Sequence, residues 1–324
     1  MSFHMDYDTL EEYFGDGGDI EIPSGVRKIG WRAFEFCKSI TSVVIPPSVT
    51  EIDDNAFFGC SNMTEVTIPD SVKIIGSGAF RSCGALKSIV IPNSVTEIGE
   101  GAFANCKSAE RIEFPSGAVI GDGAFGGCPC LADENGFIIL GDVLHGYVGT
   151  DTDVTVPEGM HTISKRAFSE CKELVRITIP NTVTKIGNES FYRCERLEDV
   201  ILPDGITEIA DSLFSNCNRL KSVTIPRGVT KIGEHAFRSC ESLSEVILPE
   251  GVTEIGKDAF TYCTALTDIT IPDTVTELSP FAFSNSAELT IHASQDHAAL
   301  IAWAKSYTGE NAPYLPHFLR KWAK

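Results

Sequence analysis

Along most of the chain, apolar residues return with one fixed spacing. Counted from the Ile of an Ile-Pro pair, positions 1, 5, 8, 12, 13, 16, 19 and 22 are apolar, as in Ile225, Val229, Ile232, Ala236, Phe237, Cys240, Leu243 and Val246. The pattern restarts at Leu248. Phe recurs at 34, 57, 80, 103, 125, 168, 191, 214, 237, 260 and 283, so the gaps are 23, 23, 23, 22, 43 and then 23 throughout. Self-similarity at a period of roughly 20–30 residues marks a solenoid, in which each unit is too small to bury its own apolar face and stacks on its neighbours.

Within one copy the pattern predicts two local elements. Leu-x-x-Val-x-Ile alternates with period two at its end and predicts a short strand, which Pro at position 2 stops because it has no N–H for the ladder. Gly and Thr carry the turn. Positions 9 to 16, Gly-x-x-Ala-Phe-x-x-Cys, place apolar residues three and four apart, a spacing that predicts one tight helical turn. The expected architecture is a solenoid, an α/β right-handed coil or arc of about eleven coils. A parallel sheet lies on one face and short helical turns on the other.

The array has a preface, a break and an end. Residues 1–19 are expected to cap the first block of coils, residues 20–128. Between Cys128 and Cys171 lie 43 residues, 20 more than one repeat, and Gly136–Leu140 and Val143–Tyr147 around Gly141-Asp142 predict a β-hairpin inside an insert spanning 129–155. The exit of that insert repeats the N-terminus at an offset of 134: Leu10, Tyr13, Gly15, Ile20, Ile22 and Pro23 match Leu144, Tyr147, Gly149, Val154, Val156 and Pro157. A second block, residues 156–292, therefore starts with its own first strand. Its last coil departs from the motif, with Ser286 in place of Cys. Residues 293–324 are expected to hold a capping helix over 296–306, N-capped by Asp296, and a basic tail with Arg320, Lys321 and Lys324.

Charge and cysteines narrow the function. The net charge of −19 opposes binding to a phosphate backbone or an anionic membrane, and no run of 18 apolar residues offers a membrane span. Neither nucleic acid nor membrane insertion is expected, and the array is expected to be monomeric. Ten of the eleven cysteines occupy repeat position 16, so the coil explains their spacing, and a ladder of buried free thiols is expected; a metal or redox array is the alternative.

The motif Ile-Pro-x-x-Val-Thr-x-Ile-Gly-x-x-Ala-Phe-x-x-Cys-x-x-Leu-x-x-Val-x resembles the BspA-like (Treponema pallidum type) leucine-rich repeats over roughly residues 20–292. The stretch LTIHASQDHAALIAWAKS resembles the way that family closes its arrays. The resemblance implies a bacterial cell-surface or secreted protein that binds other proteins, host extracellular proteins among them, and is not an enzyme. The first residues, MSFHMDYDTLEEYF, have neither the basic nor the apolar region of a signal peptide, which keeps a cytoplasmic location open.

Chemical motifs are sparse. Gly121-x-Gly123-x-x-Gly126 matches a dinucleotide fingerprint formally, but Gly121 is repeat position 9 and the rest is a glycine-rich copy of Gly-x-x-Ala-Phe. Cys128-Pro129-Cys130 is at most half a metal site, and Cys130 alone lies outside the repeat. The acidic loops at Asp133-Glu134-Asn135 and Asp151–Asp153 have calcium as an alternative to simple solvation. No catalytic, cofactor-binding or metal-binding residue is expected.

Function is expected on the strand face pointing away from the core, at positions 21 and 23. In the second block that face carries Arg176, Asp199, Ile201, Glu245, Ile247 and Asp268, an apolar stripe among acids suited to a protein partner. The alternative is a structural spacer that holds other domains apart.

Overall fold

A computed structural model describes residues 3–115, 117–279, 281–286, 289–294 and 297–306. The chain forms two compact units, one of residues 1–140 with 145–149, the other of residues 141–144 with 150–324. Each is a solenoid of parallel strands with very little helix.

Two strands, not one, are laid down by every coil. The first spans positions 21–23, as in Arg176–Thr178, Asp199–Ile201 and Glu245–Ile247. The second is a two-residue strand at positions 7–8, as in Lys185–Ile186 and Lys231–Ile232. In the first unit these short strands join a seven-stranded sheet that opens with Phe3–Asp6 and Thr9–Tyr13, paired antiparallel as a hairpin. Thr9 and Leu10 then pair in parallel with Lys28 and Ile29, and each coil adds to the next in the same register. Two residues are too few to leave an alternating signature, so sequence periodicity could not reveal the second sheet.

The core is a column of phenylalanines. Phe34, Phe57, Phe80 and Phe103 stack at centroid distances of 4.7, 5.0 and 5.1 Å. Phe168 through Phe283 stack at 5.2–5.5 Å. All are fully buried, and ring pairs of this kind contribute about 0.5–1.5 kcal/mol beyond the burial itself. Tyr13 of the opening hairpin lies on Phe34 at 5.2 Å, taking the place of a phenylalanine in a coil that has none.

The segment expected to form a helical turn is built differently. In every coil positions 11 and 15 are left-handed, for example Asn55 (φ 57) with Gly59 (φ 73) and His235 (φ 55) with Ser239 (φ 58). Two left-handed residues four apart stop a right-handed helix before its first i→i−4 bond. Instead, the N–H groups of Asn55, Phe57 and Gly59 donate across to the carbonyls of Ser77, Ala79 and Arg81 in the next coil. Those of Ala56, Phe58 and Cys60 donate three residues back, to Asp53, Asn55 and Phe57. The helix-like spacing of Ala, Phe and Cys is thus the spacing of two consecutive turns locked to the neighbouring coil.

Glycine at position 9 follows from the same close stacking. A Cβ on Gly99 would stand 2.5 Å from the Ser77 nitrogen of the preceding coil, and one on Gly121 2.5 Å from that of Glu100.

The thiols at position 16 are free, and each buried one donates to the carbonyl of the preceding coil's phenylalanine, as Cys60 does to Phe34 (3.1 Å) and Cys240 to Phe214 (3.1 Å). Ser286, which looked like a loss of the motif, keeps that bond through its hydroxyl to the Phe260 carbonyl (3.1 Å). Position 16 therefore selects a small side chain with a donor.

The fifth coil, one residue short, is looser than its neighbours. Phe103 and Phe125 are 5.8 Å apart, Phe114 moves onto Phe125 at 4.9 Å, and Val119 is 70% exposed. The expected hairpin segments are strands, Phe137–Leu140 and Val143–Tyr147, with Gly141 left-handed between them. The expected closing helix spans Ala298–Ser306; its Trp303 donates to the Ser279 carbonyl and stands edge-on to Phe283. The expected cap Asp296 and the tail cations Arg320, Lys321 and Lys324 lie outside the described residues.

Candidate protein-binding face

Each strand at positions 21–23 has one residue in and two out: Val200, Val223, Val246 and Ile269 are buried while their neighbours on both sides are exposed. All six residues expected to form the site lie on the outer side of these strands in the second unit. Parallel register sets Arg176 beside Asp199 and Thr178 beside Ile201. It sets Glu245 beside Ser222, Ile247 beside Thr224, and Asp268 beside Thr290. Ile201 and Ile247 are 58% and 60% exposed, large values for side chains of that size.

The charges on this face are not equivalent. Arg176 Nη1 meets Asp153 Oδ1 at 2.9 Å, and that hydrogen bond pushes the guanidinium further up from its ordinary value. Asp268 is held below the usual carboxylate range by His292 Nε2 at 3.0 Å, with Thr267 adding to it. Arg176 is thus ion-paired with Asp153, whereas Asp199 and Glu245 are exposed to solvent. A shallow depression of 280 Å³ beside Ile201 is lined by Asp199, Asp204, Ser222, Thr224 and Pro226.

The first unit has a larger, open hollow on its own strand face, about 680 Å³, between Glu65, Thr67, Ser88, Val90, Asn93 and Glu113. It also carries a surface that periodicity did not single out. On the turn side, Trp31 and Phe36 are 58% and 57% exposed, Phe36 meets Phe58 edge-on at 4.9 Å, Arg32 lies over Trp31 at 4.4 Å and Arg81 over Phe58 at 5.9 Å. The available signal was compositional: aromatics stand at positions 10, 14 and 15, outside the apolar set of the repeat.

The residues of the chemical motifs have structural roles. Gly121 allows coils to approach, and Cys128 donates to the Phe103 carbonyl (3.2 Å). Asp133 accepts from the backbone N–H of Asn135 and Phe137, both at 2.9 Å, and Asp153 holds Arg176. Histidines are scattered: His161, His235 and His292 pair with Asp142, Asp258 and Asp268 in neighbouring coils, while His145 is buried. Among the described residues no group of three or more His, Cys, Asp or Glu converges on one point, and no helix is long and apolar enough to cross a membrane.

Comparison with known proteins matches residues 16–132 and 161–290 to the BspA type leucine rich repeat region. Among solved structures, a leucine rich cell surface protein from Faecalibacterium prausnitzii A2-165 is 28% identical with a TM-score of 0.50, covering 91% of this chain and 94% of that one. A leucine-rich repeat protein from Eubacterium ventriosum is 24% identical with a TM-score of 0.60, covering 87% and 89%. The pneumococcal vaccine antigen PcpA is 17% identical with a TM-score of 0.55, covering 92% and 89%, a likeness of fold alone. No curated protein matches the chain.

Proposed function

The chain belongs to the BspA-type leucine-rich repeat family, and from that premise we propose that it is a non-enzymatic protein-binding module of a bacterial cell-surface or secreted protein. Its recognition surface is the strand face of the second unit, and its partner is a protein, of host extracellular origin, with a basic, partly apolar surface. The observation that carries this reading is the pair Ile201 and Ile247, more than half exposed and flanked by Asp199 and Glu245. Apolar contact supplies the affinity, and the carboxylates supply steering and selection against acidic partners. The cell-surface protein of F. prausnitzii, similar over nearly the whole chain, supports the location.

The test is the double substitution Ile201→Lys with Ile247→Lys. Neither side chain faces the core, so the melting temperature is expected to hold, whereas binding to the protein that the wild-type chain captures from an extracellular-matrix or plasma fraction falls at least tenfold. Binding of the wild-type chain is also expected to weaken between low and physiological salt. Unchanged binding by the double variant would reject this face and turn attention to the hollow and aromatic surface of the first unit.

A further inference from the structure

We infer that a hollow at the start of the first unit is a binding site for an arginine side chain of a protein partner, with Asp19 as its ion-pair acceptor. The hollow, about 520 Å³, opens beside the first coil between the rings of Phe3 and Tyr13, the carboxylates of Asp16, Asp19 and Glu21, and Ser42. Its lining holds three acids and no base. The wall is tightly built. The Gly17 N–H donates to the Tyr13 hydroxyl (3.1 Å) and the Gly18 N–H to the Ser39 carbonyl (2.8 Å), and a Cβ on Gly15 would stand 2.2 Å from the Tyr13 hydroxyl oxygen.

The chain carries this module twice, and the second copy shows what the aspartate takes. Phe3 and Tyr13 stand 5.4 Å apart at 46°; Phe137 and Tyr147, each 134 residues further on, stand 5.2 Å apart at 48°. Gly149 crowds the Tyr147 hydroxyl as Gly15 does that of Tyr13, with 2.3 Å left for an added Cβ. Asp153 is the counterpart of Asp19 at the same offset. Parallel pairing places Arg176 beside Asp153 as it places Ser42 beside Asp19. Asp153 Oδ2 accepts from Thr152 at 2.8 Å and Oδ1 from the Arg176 guanidinium at 2.9 Å. Asp19 Oδ1 takes the hydroxyls of both Thr41 (2.8 Å) and Ser42 (2.6 Å), while Oδ2 accepts from no described residue. Those hydroxyls, Ser42 first, hold Asp19 below the ordinary carboxylate range and so ionised at neutral pH. With serine in place of arginine, the first module presents the acceptor half of a pair that the second module completes within the chain.

The cation is an organic one. Among the described residues no three of His, Cys, Asp and Glu converge closely enough to hold a metal ion, so the acids suit a large, delocalised charge. A guanidinium is planar, donates two parallel hydrogen bonds to one carboxylate and stacks on aromatic rings, which a compact ammonium does less well. The hollow is wider than a guanidinium alone, so the alkyl stem and the adjoining peptide backbone enter with it, against Phe3 and Val44. This site belongs to the first unit and does not rest on the face of the second being a binding surface.

The probe is a fluorescent pentapeptide, Gly-Gly-Arg-Gly-Gly, titrated into the full-length chain at physiological ionic strength. Citrulline in place of the arginine keeps its shape and removes its charge, and is expected to weaken binding at least tenfold; lysine is expected to weaken it at least threefold. Asp19→Asn, whose amide oxygen still accepts from Thr41 and Ser42, is expected to cost at least tenfold. Ser42→Arg rebuilds inside the first unit the pair seen at Asp153, and is expected to abolish peptide binding with an unchanged or raised melting temperature. The Ile201→Lys, Ile247→Lys chain is expected to bind the peptide as wild type does. Absence of binding, a citrulline or lysine peptide as tight as the arginine one, or full binding by Asp19→Asn or Ser42→Arg overturns the proposal. Loss of the peptide in the isoleucine variant also overturns it, by placing the arginine on the second unit, and leaves the reading of that face intact. Peptide binding that requires Asp19, in a chain whose partner binding ignores Ile201 and Ile247, keeps this site and removes that face.

Discussion

At repeat positions 11 and 15, half of the left-handed residues of the first unit are glycine, at Gly59, Gly78, Gly101, Gly123 and Gly127, whereas in the second unit none is: the series runs from Arg166 and Glu170 to Phe281 and Asn285 with a side chain every time. The same fold is therefore closed in two ways. Glycine takes the left-handed conformation without the clash of a Cβ, and an ordinary residue does so at about 1–2 kcal/mol. What the second unit obtains in exchange is visible at position 11, where Arg166 Nε reaches Glu189 at 2.8 Å and His235 reaches Asp258 at 3.3 Å, coil to coil. Elsewhere on its surface Arg196 with Glu173 and Lys231 with Glu254 make the same step. The first unit, poorer in such pairs, exposes Trp31 and Phe36. The second unit thus wears a charged coat interrupted on the strand face by two isoleucines, while the first shows apolar surface on both sides. Identical cores leave the surface free to diverge.

If the cores are equivalent, breaking them should be equally damaging, and the short fifth coil makes the exception. Phe237→Ala removes a ring packed 5.5 and 5.2 Å from its neighbours and is expected to destabilise by about 3–5 kcal/mol. Phe125→Ala, beside a wider gap and the partly buried ring of Phe114, is expected to cost less, since that ring can fill part of the space. Denaturant titration of the full chain compares them. Equal losses would mean that the missing residue does not loosen the first unit.

The thiols sharpen the same comparison. Burial pushes Cys171 and Cys263 up to about 12 and Cys37 up to about 11, so at pH 8 all are protonated and slow. Cys37, Cys130 and Cys171, which are only partly buried, are expected to react first with a thiol reagent, and the remaining eight only after denaturation. Prompt reaction of Cys217 or Cys240 would show that the column opens.

The repeat, its phase and the inward residues were legible because burial selects Ile, Val, Leu and Phe at fixed intervals, and the outer face followed from alternation about Val246. Three features were not legible. The second sheet has strands of two residues, and the left-handed positions accept Arg, Tyr, His or Gly alike because their backbone is fixed by bonds to the next coil. The third is the donor role of position 16, which Cys hides by behaving as a hydrophobe until Ser286 reveals it. Likewise, a sequence lists Arg176 as a charge on the face, and only the geometry shows it ion-paired with Asp153.

A pH dependence from a buried histidine is expected in the first unit. His145 is buried with no partner for Nδ1 among the described residues, and burial holds its pKa below the ordinary imidazole value, opposed in part by the charge of Asp122. Below a pH of about 6.5 the unfolded chain takes up this proton before the folded one does. Stability from this group is therefore complete above that pH and lost as pH falls, by at most about 1.4 kcal/mol per unit. Exposed pairs such as His161 with Asp142 contribute little. Hydrogen exchange between pH 7 and 5 should show the first unit weakening relative to His145→Leu; parallel curves for the two chains would exclude His145 as the cause.

The smallest effect addresses the left-handed positions directly. Ser239, at φ 58, is partly exposed. Ser239→Gly relieves a conformational penalty of about 1–2 kcal/mol and adds back the greater freedom of unfolded glycine, roughly 0.5–1 kcal/mol. The net expectation is a gain of about 0.5–1 kcal/mol. Gly101→Ser is the mirror change in the first unit. An added Cβ there meets nothing closer than the Ala104 Cβ at 3.9 Å, so only the φ of 60 opposes it, and a loss of similar size is expected. Opposite signs in the two units would establish that the second unit carries backbone strain that the first avoids. A loss from Ser239→Gly would instead mean that side chains at these positions stabilise the coil by more than their strain costs, and the contrast between the units would then be one of surface alone.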